Sequence, residues 1–143
     1  MGEPSTIAEQ VYAAYGRGDL DACLRLFAPD CQVTFPGMPP LTGPDQLRPF
    51  LQVQLTAFPK GQHQVRRMIE QGATVAAELV FTGAQTGPYV TPLGTIPPSG
   101  RQVAFDSVDI VEINAGRIAS WRIYLDTASM MAQMGANPAM ASV

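Results

Sequence analysis

The chain has 143 residues, nine basic against twelve acidic side chains, and a formal net charge of −3. That length suits one domain, which buries about two-thirds of its unfolded surface. Charged residues reach only 15% where roughly 25% is usual, so apolar surface is expected at a subunit interface, in a ligand cavity or in both. A single lysine, Lys60, and the acidic balance leave no electrostatic footprint for a phosphate backbone, which excludes nucleic acid. Cys23 and Cys31 are too few for a disulfide scaffold, and one histidine cannot build a histidine-rich metal site. No segment approaches the roughly 18 consecutive apolar residues of a membrane helix, and the opening MGEPST lacks the apolar core of a secretory leader. The expectation is a cytoplasmic protein with no metal, no cofactor and no membrane partner. Met1, Gly2 and Thr6 satisfy the loose M-G-x-x-x-S/T acylation pattern, but no polybasic segment offers the second anchor that stable attachment requires.

In chain order, Thr6-Ile7-Ala8-Glu9 reads as a capping box opening a first helix with Ile7, Val11, Ala14 and Tyr15 on one face, stopped by Gly16-Arg17-Gly18. Asp19 caps a second short helix whose stripe is Leu20, Cys23, Leu24 and Phe27, ended by Pro29-Asp30. Cys31 to Phe35 is a short strand, and Pro36-Gly37-Met38-Pro39-Pro40 forces an irregular loop. Thr42-Gly43-Pro44-Asp45 then starts a third helix through Leu47, Phe50, Leu51, Leu55 and Phe58, in which Pro49 is comfortable only in the first turn. From Gln62 the pattern changes to period two with β-formers, over 62–70, 73–83, 102–113 and 117–126, the last two joined by Asn114-Ala115-Gly116. That is a meander of antiparallel strands. The Gly/Pro/Thr-rich stretch from Gly83 to Gly100 is too long for a tight hairpin, and its prolines oppose regular strand pairing. It is expected as a rim or lid over a pocket mouth, or in part as a subunit contact. A last helix from Thr127 to Met134 is capped by Asp126 and stopped by Gly135, leaving 136–143 as a loose tail behind a single domain over 1–135. The class is α+β: a cone-shaped, curved antiparallel sheet covered by N-terminal helices.

On strand 102–113, alternation puts Phe105, Ser107, Asp109, Val111 and Ile113 on one face and Asp106, Val108, Ile110 and Glu112 on the other. One acid thus sits among apolar neighbours. If its face lines the interior, desolvation raises the Asp109 pKa and makes it a general acid or oxyanion donor; otherwise it is a carboxylate satisfied by a backbone amide or by an arginine such as Arg122. On strand 117–126 the interior set is Ala119, Trp121, Ile123 and Leu125, a pocket wall or plain core. Trp121 is the foremost ligand contact, because an indole stacks on a flat molecule and offers one donor. Tyr12 and Tyr15 lie three apart on the first helix: in the first reading Tyr15 is core and Tyr12 surface or rim, and in the second a phenol faces Asp109 and completes a donor pair. Tyr124 and Asp126 read as structural. His63 reads as a solvated or hydrogen-bonded histidine before it reads as a base, and alternation does not fix which way Glu78 faces. No Ser-His-Asp, Walker, Rossmann or HEXXH pattern is present.

The run from Gly116-Arg117-Ile118 through Trp121 to Asp126, followed by Gln133-Met134-Gly135, resembles the G-K/R-I-x-x-x-W…D…Q-L-G ending of the SnoaL-like polyketide cyclases. Phe81-Thr82-Gly83-Ala84-Gln85-Thr86-Gly87 and Pro98-Ser99-Gly100-Arg101 are similar to that group's F-T-G-x-H-x-G and P-T-G-K/R elements, with Gln85 in place of the histidine. Gly18-Asp19, Leu26-Phe27-Ala28-Pro29-Asp30 and Leu41-Thr42-Gly43 fit the wider nuclear-transport-factor-2-like superfamily. The resemblance implies a cone fold, a small hydrophobic ligand and a homodimer formed through the outer face of the sheet. The catalytic aspartate of the aldol cyclases, and of limonene-epoxide hydrolases, falls on Ile123. The accompanying cyclase histidine falls on Asp109, where ketosteroid isomerases carry an aspartate that in its protonated form helps hold an enolate oxygen. The general base of those isomerases falls on Phe35, and their pocket tyrosine on or beside Val11 and Tyr12. The expected function is cofactor-independent proton transfer of isomerase or cyclase type on a small hydrophobic or polycyclic carbonyl compound. Asp109 is then the catalytic group, and Tyr12, Tyr15, Phe35, Ser107, Trp121, Ile123 and Leu125 surround the substrate. The alternatives are a non-catalytic binding module for hydrophobic small molecules and, against the loss at Ile123, an epoxide hydrolase.

Overall fold

The computed structural model of the chain describes residues 2–136; Met1 and residues 137–143, nearly all of the expected tail, lie outside the described residues. Helix α1 (Glu3–Gly16) begins ahead of the expected capping box, so that Thr6 lies inside it and donates its hydroxyl to the Gly2 carbonyl. Its cap comes from far along the chain. The Glu70 carboxylate accepts from the Gly2 and Ser5 amides at 3.2 and 3.0 Å and from the Ser5 hydroxyl at 2.7 Å. A carboxylate there satisfies amides that have no partner within the helix and opposes the helix dipole; here it also ties α1 to the sheet. Helix α2 (Leu20–Leu24) is capped by Asp19, as the sequence indicates, but stops before Phe27, which instead opens a longer strand β1 (Phe27–Thr34).

Strand β2 (Leu41–Thr42) leads into α3 (Gly43–Ala57), where Pro49 sits beyond the first turn on the exposed side. Then come β3 (Gln62–Gln71), β4 (Thr74–Ala84), the short β5 (Tyr89–Thr91) and β6 (Gly94–Ile96), β7 (Gln102–Asn114), β8 (Arg117–Leu125) and α4 (Thr127–Gln133). One six-stranded sheet runs in the order β2-β1-β8-β7-β4-β3. The meander β3-β4-β7-β8 is antiparallel as expected, but β1 lies parallel to β8 with Val33 beside Trp121, so the sheet is mixed. Register shifts at Val65/Arg67 and at Glu112/Ile113 mark bulges, which bend strands and increase their twist. On β7 the alternation is as read from sequence: Ser107, Asp109, Val111 and Ile113 are buried and Asp106 and Val108 exposed. On β8 the bulge breaks it, so that Ile118 rather than Ala119 joins Trp121 in the core.

The stretch from Gly83 to Gly100 corrects a sequence expectation. Its prolines flank rather than prevent pairing: β5 and β6 form a small ribbon, Tyr89 opposite Ile96, with Pro92 at the turn and Pro88 and Pro97 outside the strands. Tyr89 and Ile96 are buried, whereas Val90 and Leu93 near the tip are exposed. Gln85, the residue in place of the family's histidine, is fully buried and staples the loop. Its amide donates to the carbonyls of Gly87, Ile96 and Pro97 at 3.2–3.4 Å, and its oxygen accepts from the Ser99 amide at 3.3 Å. Gly87 lies so close to the Thr56 carbonyl that a Cβ would not fit, which seats the loop on the end of α3. Asp126 caps α4 through the Ser129 amide at 3.1 Å.

Candidate active site

A cavity of about 100 Å³ lies between the helices and the inner face of the sheet. It adjoins a larger one of about 410 Å³ beneath the β5–β6 ribbon, and the two share Phe35, Phe50, Gln54 and Met130. The long loop therefore flanks the outer chamber. Every sequence candidate lines the inner one: Tyr12 and Tyr15 from α1, Phe35 just past β1, Ser107 and Asp109 from β7, and Trp121, Ile123 and Leu125 from β8.

Asp109 is 4% exposed and its oxygens are divided between two hydroxyls. The Tyr12 phenol donates to Oδ2 at 2.6 Å and the Ser107 hydroxyl to Oδ1 at 3.1 Å. Burial pushes the carboxyl up to about 6, against the hydrogen bonds from Tyr12, Ser107 and Trp121, which favour the ionised form. Arg122, weighed from sequence as a partner, is turned away: it reaches Ser120 at 3.2 Å and Glu112 at 3.8 Å on the other face. Asp109 thus takes part in no ion pair among the described residues, and an acid so placed changes charge near neutral pH. The reading of Tyr12 as surface or rim is corrected as well. Its ring is 7% exposed and edge-on to Trp121 at 5.4 Å. Burial, and then the neighbouring Asp109, hold the phenol proton far above its ordinary range, so Tyr12 donates a hydrogen bond without itself ionising.

His63 is where sequence reasoning fell short. Half-buried and without a hydrogen bond to any described residue, it lines the cavity with its ring 5.1 Å from Tyr12, 5.0 Å from Tyr15 and 5.0 Å from Phe81. Its Nδ1 is buried with no hydrogen-bond partner among the described residues. Burial alone lowers its pKa to about 4, so the ring is neutral at pH 7. The bulge at Val65/Arg67 hides this from simple alternation, since His63 and Met68 both face inward although five positions apart. The register would have exposed it, because His63 lies opposite inward-facing Phe81. Glu78 faces outward and Tyr124 is exposed. Among the described residues no cluster of three or more His, Cys, Asp or Glu side chains is placed to hold a metal ion, and no helix is long and apolar enough to cross a membrane.

A curved mixed sheet closed by helices around an apolar cavity with a buried acid in its wall is a nuclear-transport-factor-2-like cone. The family model for SnoaL-like polyketide cyclases matches residues 5–134, and the chain belongs to that family. Its fold is shared with a candidate SnoaL-like polyketide cyclase from Jannaschia sp. CCS1 at a TM-score of 0.84 and 22% identity, over 95% of this chain and 94% of that one. IdmH, a candidate polyketide cyclase from Streptomyces antibioticus, superposes at 0.75 with 25% identity over 94% of this chain and all of its own. AclR, a candidate hydroxylase from Streptomyces galilaeus, superposes at 0.79 with 19% identity over 93% of this chain and 81% of its own. No curated protein matches the sequence.

Proposed function

We propose that this protein is a cofactor-independent enzyme that moves a proton on a small hydrophobic or polycyclic carbonyl compound, as an isomerase or cyclase does. The observation that carries the reading is Asp109: a buried carboxyl facing an apolar cavity, held by two hydroxyls and by no cation among the described residues. In its protonated form the acid gives its proton to the substrate's carbonyl oxygen, which makes the neighbouring C–H acidic, and an enol forms as a base takes the proton from that carbon. Tyr12 and Ser107 then hold the carboxylate that Asp109 becomes. The enol regains a proton at another carbon in an isomerisation, or attacks a second carbonyl of the same molecule in an aldol cyclisation. Trp121, Phe35, Ile123 and Leu125 supply the apolar walls that orient a flat substrate.

A simple ketone tests this. 2-Tetralone, a flat bicyclic ketone, is incubated with the protein in D2O and its α-proton exchange followed by NMR. The wild type is expected to accelerate exchange over buffer, and Asp109→Asn to lose about 100-fold or more of that acceleration. The apolar Phe35 and Ile123, at two positions where related enzymes carry acid–base groups, favour a second reading, a binding module that has kept the pocket without the reaction. Binding of 2-tetralone, seen through the single tryptophan Trp121, with no faster exchange would establish that reading instead.

We further propose a homodimer through the outer face of the sheet, where Val65, Ile69, Val108 and Tyr124 are exposed. Light scattering should then give twice the chain mass of 15.3 kDa, and a monomer at micromolar concentration would overturn it. We also propose a cytoplasmic site of action, a reading that the free state of the buried Cys23 and Cys31 supports.

A further inference from the structure

Asp109 can serve the substrate's oxygen, but the proton leaving carbon needs a second group, and neither Phe35 nor Ile123 can accept it. Resting on the reading of the cavity as a proton-transfer site, we propose that His63 is the base: its imidazole takes the proton from the carbon beside the carbonyl while Asp109 gives its own to the oxygen. The C–H electron pair becomes the C=C bond and the carbonyl π pair becomes the new O–H bond. The step leaves imidazolium at His63 and carboxylate at Asp109, and the reverse transfer at a different carbon restores both.

The geometry is built for a ligand that the fold alone does not replace. His63 enters the inner cavity from the start of β3, on the side of Phe81, while Asp109 enters from β7, and Tyr12 lies between them with its phenol on Asp109 and its ring against the imidazole. Three aromatic rings fix the imidazole by packing, yet nothing among the described residues accepts from or donates to it: Nε2 keeps accessible surface with which to meet a ligand, and Nδ1 is buried without a partner. Native interiors leave few polar atoms in that state, and catalytic groups are prominent among the exceptions. The neutral ring keeps a free lone pair for a C–H proton because no carboxylate bonds to it. Its apolar surroundings favour a flat hydrophobic ketone whose reacting edge spans from β7 to β3 and whose remainder extends into the outer chamber.

The titratable groups facing the cavity are Tyr12 and Tyr15 on α1, Cys23 on α2, His63 on β3 and Asp109 on β7. Burial drives both phenols above their usual range and the Cys23 thiol up to about 12. His63, at about 4, and Asp109, at about 6, are left to govern the reaction. With a neutral base and a protonated acid both required, the exchange rate follows a bell, with limbs near those two values. If Asp109 were itself the base, the rate would instead rise through about 6 and stay high.

The test is 2-tetralone exchange in D2O across pH, with binding followed in parallel by Trp121 fluorescence. His63→Phe keeps a ring in the aromatic cage, and His63→Gln keeps a polar group should the first variant fold poorly. Both are expected to bind 2-tetralone while exchange falls about 100-fold or more, with the acid limb gone from what remains. Exchange at the wild-type rate in either folded variant, with Asp109→Asn inactive, overturns the assignment of His63 and leaves the enzyme reading intact. A wild type that binds without exchange overturns both.

Discussion

Two aspartates on β7 lie three residues apart and face opposite ways. Asp106, on the outer face, pairs with Arg66 at 3.0 Å, with the side chains 76% and 55% exposed. Asp109, on the inner face, has no cation and shares its oxygens between Tyr12 and Ser107. Water and salt screen the first pair, so it contributes under about 1 kcal/mol. The second carboxyl has lost its water and gained only neutral donors, which do not fully replace it. Strand alternation therefore turns one residue type into a solvated surface charge on one side and a proton-holding acid on the other.

The largest effect expected from this contrast is on stability against pH. The Asp109 pKa is raised from 3.8 to about 6, so the folded protein holds that proton more tightly than the unfolded chain does. The resulting stabilisation is complete below the unfolded value and is lost as pH rises through about 6. Relative to the protonated state, the ionised group costs the fold about 3 kcal/mol. Asp109→Asn should therefore gain up to about 3 kcal/mol over wild type at pH 8 and little at pH 3 in urea unfolding. A variant less stable than wild type at pH 8 would show that the site welcomes the charge. A smaller change is expected from Tyr12→Phe, which removes one donor at a cost of about 1–2 kcal/mol. Because that hydrogen bond favours the ionised acid, the Asp109 titration should also move upward from about 6. The smallest belongs to Asp106→Asn, at most about 1 kcal/mol and fading in high salt. A larger loss there would remove the distinction between the two faces.

What could be read in advance divides along the same line. The inner face of β7, the meander and the Asp126 cap depend on local period and short-range chemistry, and the residues alone carried them. Features that depend on distant partners were not legible. Glu70 caps α1 across the fold, β1 lies parallel to β8, and Gln85 staples a loop whose prolines argued against pairing. Of the two readings of Tyr12, the donor to Asp109 holds, and the surface or rim position fails because α1 buries a wide stripe, Ala8 and Tyr12 as well as Val11 and Tyr15, rather than the narrow one its first residues suggest. His63 was hidden by a bulge that shifts the inward face of β3 by one residue, a change that no single-strand pattern reveals.

Asp109 is a buried acid poised to exchange its proton near neutral pH. Carboxyl-carbon NMR of protein carrying 13C-labelled aspartate measures this directly, with the Asp109 signal assigned by its absence in Asp109→Asn. A titration midpoint near 6 is predicted for that signal. A midpoint at or below the ordinary 3.8 would mean that the carboxylate is content in its pocket, and would contradict the account.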